Sequence, residues 1–176
     1  MSSPLPNTIF LVGFMASGKS RIGKALAKEM NYSFKDTDSI IESELGKSIP
    51  EIFESHGESF FRAREKAVIE TLTNTDLHQV IAVGGGTPCY TDNMDLLLQK
   101  GRVLFIKPPI EHLIQRLSHS PGNRPLILRL PQSERPIFIK KLYKERLPFY
   151  SRAHHTIIPQ STIHETVTQC VTILSH

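Results

Sequence analysis

Short apolar runs alternate along the chain with longer segments whose apolar residues recur at helical spacing. Thr8–Val12 is almost wholly apolar, which predicts a buried strand, and residues 20–30 place Ile22, Ala25, Leu26 and Met30 on one helical face. Four more strands are predicted at residues 33–35, 80–83, 103–106 and 156–158. Alternating strands and helices of this kind are typical of an α/β fold, a parallel sheet covered by helices on both faces.

Two segments interrupt this alternation. Residues 38–65 are rich in charge and contain Pro50, which predicts a helical insertion between the second and third strands and a candidate substrate-binding region. Residues 118–132 gather proline and glycine around Arg124 and Arg129, which predicts a mobile lid. We expect both segments to belong to a single domain spanning residues 1–176, because 176 residues suffice for one ordinary core.

Composition narrows the class of partner and the cellular compartment. The net charge of +4 comes from scattered basic residues, which suits anionic small molecules better than nucleic acid. Neither a secretion signal nor an apolar stretch long enough to span a bilayer is visible. With only Cys89 and Cys170, a disulfide framework is not expected, so the sequence predicts a cytoplasmic protein without a membrane or nucleic-acid partner.

Residues 13–20, GFMASGKS, match the phosphate-loop pattern GxxxxGK[ST] between a predicted strand and a predicted helix. Backbone N–H groups and the helix N-terminus favour phosphate there, while Lys19 can reach the terminal phosphates and Ser20 can bind Mg²⁺. The pattern is shared by kinases, GTPases and motor ATPases, but the guanine-reading motif NKxD does not occur. The predicted nucleotide-binding residues of this loop and its helix are Ala16, Ser17, Gly18, Lys19, Ser20 and Arg21.

Two aspartates at the end of the second predicted strand are the candidate acidic groups. Asp36 can support hydrated Mg²⁺, and Asp38 can face an acceptor hydroxyl, either accepting its proton or orienting it. The alternative is a surface turn in which an aspartate caps the following helix. A phosphate loop upstream favours the catalytic interpretation.

The ordered motifs GFMASGKS, FKDTD, GESFFRAREK, GGGTP, NRPLI and RLPFY resemble those of the shikimate kinases, over about residues 8–153. The resemblance implies a three-layer phosphate-loop kinase fold with a five-stranded parallel sheet, a helical substrate-binding insertion and a closing lid. It also implies a monomer that uses ATP and Mg²⁺ to phosphorylate the 3-hydroxyl of shikimate, a step in aromatic amino acid biosynthesis.

The same resemblance implies roles for residues outside the phosphate loop. Arg62 and Arg146 would bind the shikimate carboxylate, and a planar guanidinium suits that group because it can donate two parallel hydrogen bonds. The other implied contacts are Gly84, Gly85 and Gly86 to shikimate, Arg124 to the transferring phosphate, and Arg116 near the nucleotide base. The alternative for Arg62 is an exposed arginine on a helix, paired with Glu65 or Glu58. Tyr150 is expected to be a core residue.

Three other functions fit parts of the pattern. A gluconate kinase or a nucleoside monophosphate kinase of the same fold would use Arg62 and Arg146 for a different acceptor. A non-catalytic ATP-binding module would bind nucleotide without acceptor-dependent ADP release.

Overall fold

The core is one parallel sheet of five strands in a computed structural model that describes residues 6–75, 77–119 and 125–175. The strands are β1 (Thr8–Val12), β2 (Ser33–Asp36), β3 (Gln79–Ala82), β4 (Arg102–Ile106) and β5 (His155–Ile157), in the order β2-β3-β1-β4-β5. All four pairings are parallel. The five predicted strands are confirmed, and each begins and ends within one residue of its predicted position.

In the part of the chain that the structure describes, eight α-helices surround the sheet: α1 (Lys19–Met30), α2 (Thr37–Leu45), α3 (Ile49–Thr73), α4 (Asn93–Lys100), α5 (Ile110–His119), α6 (Pro125–Leu128), α7 (Arg135–Tyr150) and α8 (Ile163–Leu174). Every residue of β1 and β3 is buried, because both faces of the sheet are covered. On one face Leu26 of α1 and Val167 of α8 pack against Leu11. On the other face α3, α4, α5, α6 and α7 enclose a second core around Phe10 and Phe105. The predicted three-layer α/β fold is therefore confirmed.

Local signals set the helix ends. Glu51 Oε2 accepts the backbone N–H of Ser48 at 2.7 Å before α3, and Thr162 and Glu165 form a reciprocal pair before α8. These are the capping boxes that the spacing of Ser or Thr and Glu indicates. They fix where each helix begins, independently of tertiary contacts.

The predicted insertion consists of α2 and most of α3, which follow β2 along the chain and precede β3. Pro50 lies in the first turn of α3, where proline costs no hydrogen bond, and the helix bends at Gly57 with a φ of 81°. A small core containing Ile41 and Phe61 joins the two helices. A role for residues 38–65 in substrate binding remains a prediction.

The carboxyl ends of β1, β2 and β3 lie side by side because the strands are parallel and paired. The phosphate loop, the two aspartates and the triple glycine therefore converge at one edge of the sheet, where open α/β sheets bind ligands. Within the described ranges, no helix has both the length and the apolar character needed to cross a bilayer.

Candidate active site

The loop of residues 13–18 joins β1 to α1 at the centre of the sheet edge. Gly13 has a φ of 146°, and a Cβ there would lie 2.6 Å from the carbonyl oxygen of Ile106, so this position requires glycine. Lys19 Nζ donates to the carbonyl oxygens of Gly13 at 2.7 Å and Phe14 at 2.9 Å. The loop carbonyls thus hold the ammonium group at the N-terminus of α1, where backbone N–H groups and the helix dipole also favour an anion.

The other predicted residues of the loop lie beside this cradle. Ser17 is buried, and its Oγ lies 3.5 Å from Lys19 Nζ, while Gly18 adopts a φ of 97° at the N-cap of α1. Arg116 of α5 donates from Nη1 to the carbonyl oxygen of Ala16 at 2.9 Å, so it contacts the phosphate loop directly.

Arg21 and Arg124 complete the predicted nucleotide-binding set. Arg21 is exposed on the first turn of α1. Arg124 and the lid residues 120–124 lie outside the described residues. The chain on either side of them is tied together, because Arg135 Nη1 donates to the carbonyl oxygen of Ser118 at 2.9 Å.

Ser20 and Asp36 bring two oxygen ligands together beside the loop. Ser20 Oγ donates to Asp36 Oδ2 at 2.6 Å, while Asp36 Oδ1 accepts the backbone N–H groups of Asp38 and Ser39 at 3.2 and 3.3 Å. One carboxylate oxygen thus caps α2, as the structural alternative predicted, and the other faces the phosphate loop. A hydroxyl and a carboxylate are the hard oxygen donors that Mg²⁺ prefers, so this pair fits the predicted metal.

Asp38 lies in the first turn of α2 and faces the triple-glycine turn. Burial, together with the nearby carboxylates of Glu65 and Asp36, raises the pKa of Asp38 to about 6. A Cβ on Gly84 would lie 2.8 Å from Asp38 Oδ1 and 2.8 Å from Glu65 Oε1. Glycine at position 84 therefore allows two carboxyl groups to approach the same point at the end of β3.

Arg62 of α3 is held between two carboxylates of very different exposure. Its Nη1 donates to Glu65 Oε2 at 2.6 Å, and its Nε and Nη2 donate to Glu58 Oε1 at 3.2 and 3.0 Å. The side chain of Glu65 is 1% exposed and that of Glu58 is 59% exposed. The alternative interpretation of Arg62, an exposed arginine paired with Glu65 or Glu58, is therefore correct about the partners. It is wrong about the exposure, because the side chain of Arg62 is only 12% exposed and faces the candidate site.

Glu65 lies in the candidate site, although the sequence indicated it only as an ion-pair partner of Arg62. Its Oε1 accepts a hydrogen bond from Thr87 Oγ1 at the end of the triple-glycine turn, while its Oε2 binds Arg62. Burial raises its pKa, against the opposing effect of the Arg62 charge. Its spacing of three residues from Arg62 on a predicted helix was the one available signal; nothing in the sequence indicated Thr87.

Arg146 of α7 reaches the same turn. A Cβ on Gly85 would lie 3.6 Å from Arg146 Nη1, and a Cβ on Gly86 would lie 2.9 Å from Arg62 Nη2. Both guanidinium groups therefore flank one backbone turn. The structure brings together Asp38, Arg62, Arg146 and the three glycines, which the sequence separates by more than a hundred residues.

Known proteins resemble this chain over most of its length. The shikimate kinase family model matches residues 15–175. A curated shikimate kinase of Flavobacterium psychrophilum is 42% identical over 152 residues, covering 85% of this chain and 88% of the relative.

Solved structures give the same result. A shikimate kinase of Bacteroides thetaiotaomicron superposes with a TM-score of 0.89 at 30% identity, covering 97% of this chain and 99% of the other. A shikimate kinase of Acinetobacter baumannii in complex with shikimate superposes with a TM-score of 0.88 at 35% identity, covering 97% and 93%. Family model, relatives and structures span nearly the whole chain, and this chain belongs to the shikimate kinase family.

Proposed function

We propose that this chain transfers the terminal phosphoryl group of ATP to the 3-hydroxyl of shikimate, producing shikimate 3-phosphate and ADP. One observation carries the proposal: Asp38, Arg62 and Arg146 meet around a triple-glycine turn directly beside a phosphate loop. The kinase relatives and the shikimate bound by the Acinetobacter baumannii protein support the same acceptor. We further propose that the protein acts in the cytoplasm, because both of its cysteines are free thiols.

The phosphate end of the site is built from the loop and its helix. Lys19 is held by the carbonyl oxygens of Gly13 and Phe14, which places its charge where the β- and γ-phosphates of ATP would lie. Ser20 and Asp36 are the residues that would hold Mg²⁺, directly or through water. When bound, the ion neutralises charge on the phosphate oxygens. Arg124, outside the described residues, remains the predicted lid cation.

The acceptor end is built to bind a carboxylate. Arg62 and Arg146 both lie beside the Gly85–Gly86 backbone, so one planar carboxylate at this turn can accept hydrogen bonds from both. The exposed Glu58 accepts hydrogen bonds from Nε and Nη2 of Arg62. Because an exposed ion pair contributes little stability, Glu58 can turn into solvent at small cost when an acceptor carboxylate binds Arg62. The buried Glu65 stays in place and keeps Arg62 oriented.

Asp38 faces the point where the acceptor hydroxyl would lie. A pKa of about 6 leaves its carboxylate mostly ionised at neutral pH, yet makes it a stronger base than an exposed aspartate. It can therefore orient the hydroxyl and accept its proton as the oxygen–phosphorus bond forms and the bond to ADP breaks. Little base strength is required, because most phosphoryl-transfer transition states are loose.

An acceptor panel tests the proposal. Purified protein with ATP and Mg²⁺ is offered shikimate, gluconate or a nucleoside monophosphate in separate coupled assays of ADP release. We expect shikimate-dependent release that Asp38→Asn reduces by orders of magnitude. Release with gluconate or a nucleoside monophosphate, and not with shikimate, would establish one of the rival kinases. Nucleotide binding without acceptor-dependent release would establish a non-catalytic module.

A further inference from the structure

Tyr150 ends α7 with a buried hydroxyl that contacts the triple-glycine turn. The residue is 0% exposed, and its ring lies 5.2 Å from that of Phe105. Its hydroxyl donates to the carbonyl oxygen of Gly85 at 2.6 Å. Burial raises the pKa of this phenol well above its usual value, so the hydroxyl stays protonated and remains a donor. A residue predicted from the sequence to belong to the core therefore also reaches the site.

This hydrogen bond fixes the direction of one peptide unit. The C=O of Gly85 and the N–H of Gly86 belong to the same planar trans peptide and point in opposite directions. Because the carbonyl points into the core at Tyr150, the N–H of Gly86 points away from it. Arg62 lies close to Gly86, and the N–H of Gly86 makes no hydrogen bond to any residue that the structure describes.

The same hydroxyl lies beside Arg146, one helical turn earlier on α7. The charge and a hydrogen bond of Arg146 both act on the Tyr150 oxygen and oppose the rise in its pKa. Arg146 Nη1 also lies within ordinary contact distance of a Cβ placed on Gly85. Tyr150 thus touches two of the groups that flank the proposed carboxylate position.

We propose that Tyr150 is a positioning residue for the acceptor carboxylate. By holding the Gly85–Gly86 peptide and the Arg146 guanidinium, its hydroxyl aims the Gly86 N–H into the space between Arg62 and Arg146. The carboxylate then receives a backbone donor in addition to two arginines. The inference rests on the proposed function, because the carboxylate concerned is that of the shikimate acceptor.

The test compares Tyr150→Phe with Tyr143→Phe. Each change removes only a hydroxyl from a buried tyrosine of α7, and the Tyr143 hydroxyl makes no hydrogen bond to any described residue. We expect Tyr150→Phe to raise KM for shikimate about tenfold, the ratio that corresponds to one lost hydrogen bond. KM for ATP should stay within about twofold of the wild-type value, and Tyr143→Phe should leave both constants unchanged.

A second readout does not depend on turnover. The chain has ten glycines, so an NMR spectrum of protein labelled with ¹⁵N-glycine contains few amide signals. In this spectrum Tyr150→Phe should shift the amide signals of Gly85 and Gly86, and Tyr143→Phe should not. A lower Tm with an unchanged KM for shikimate would mean a purely structural role and would overturn the inference. Unmoved amide signals of Gly85 and Gly86 would also overturn it. A wild-type enzyme that turns over no shikimate would instead remove the proposed function, and this inference with it.

Discussion

Asp38→Asn should stabilise the fold at neutral pH while it removes most of the activity. The wild-type protein keeps a carboxylate largely away from water and close to the carboxylates of Glu65 and Asp36, which raises the pKa of Asp38 to about 6. Asparagine has nearly the same shape and carries no charge. The substitution therefore relieves the desolvation and the repulsion that the Asp38 carboxylate experiences in the folded state.

The magnitude follows from proton linkage. Between about pH 4 and pH 6 the folded protein binds the Asp38 proton more tightly than the unfolded chain does, so the free energy of unfolding falls as pH rises through this window. At pH 8 Asp38 is ionised in both the folded and the unfolded protein. The rise of its pKa from 3.8 to about 6 then lowers the free energy of unfolding by about 3 kcal/mol. At about pH 4.5 the same relation gives a loss of only about 1 kcal/mol in the free energy of unfolding.

Urea unfolding at the two pH values measures this difference. We expect Asp38→Asn to exceed the wild type by about 1–3 kcal/mol at pH 8 and by a smaller amount near pH 4.5. Asp92→Asn is the matched control, because hydrogen bonds from Lys66 lower the pKa of that exposed carboxylate, so its removal should not stabilise the protein. An Asp38→Asn variant no more stable than the wild type at pH 8, or equally stabilised at both pH values, would refute the reasoning.

Three further predictions concern catalysis. Arg62→Lys should raise KM for shikimate by about 10- to 100-fold, because an ammonium cannot donate two parallel hydrogen bonds. Arg64→Lys is the control and should leave this KM unchanged, because the partner of Arg64 is the exposed Glu44. Equal effects of the two substitutions in saturation kinetics would exclude Arg62 from the acceptor site. Gly84→Ala should lower kcat about 100-fold, because its Cβ would displace the Asp38 carboxyl, and unchanged turnover would show that this carboxyl does not act where we place it. In a pH profile, kcat/KM for shikimate should fall as pH drops through about 6, since protonation removes the Asp38 base; a flat profile there would contradict this role.

The sequence predicts the five strands and the starts of α3 and α8 well because both depend on local patterns. Apolar runs locate the buried strands, and paired Ser or Thr and Glu residues locate the starts of α3 and α8. Strand bounds differ by a residue because pairing, and not apolarity alone, decides where a strand ends. Polar Gln79, for example, belongs to β3 because it pairs with Thr8 of β1.

The site was predicted unevenly for a physical reason. The phosphate loop is contiguous, so one motif contains it, and Asp36 and Asp38 follow a strand whose end had to reach the same edge. The roles of Glu65 and Tyr150 depend on side chains from α3 and α7 meeting the triple-glycine turn, a contact between distant segments. No local pattern encodes such a contact, and only the packing of helices on the sheet reveals it.

The position of the phosphate on the product tests the central claim most directly. If Arg62 and Arg146 fix the carboxylate while Asp38 faces the reacting hydroxyl, one regioisomer must form. Phosphorus–proton NMR of the product from shikimate, ATP and Mg²⁺ should show coupling of the phosphate to the proton on carbon 3. Phosphorylation of another hydroxyl, or ADP release without a phosphorylated acceptor, would contradict the account.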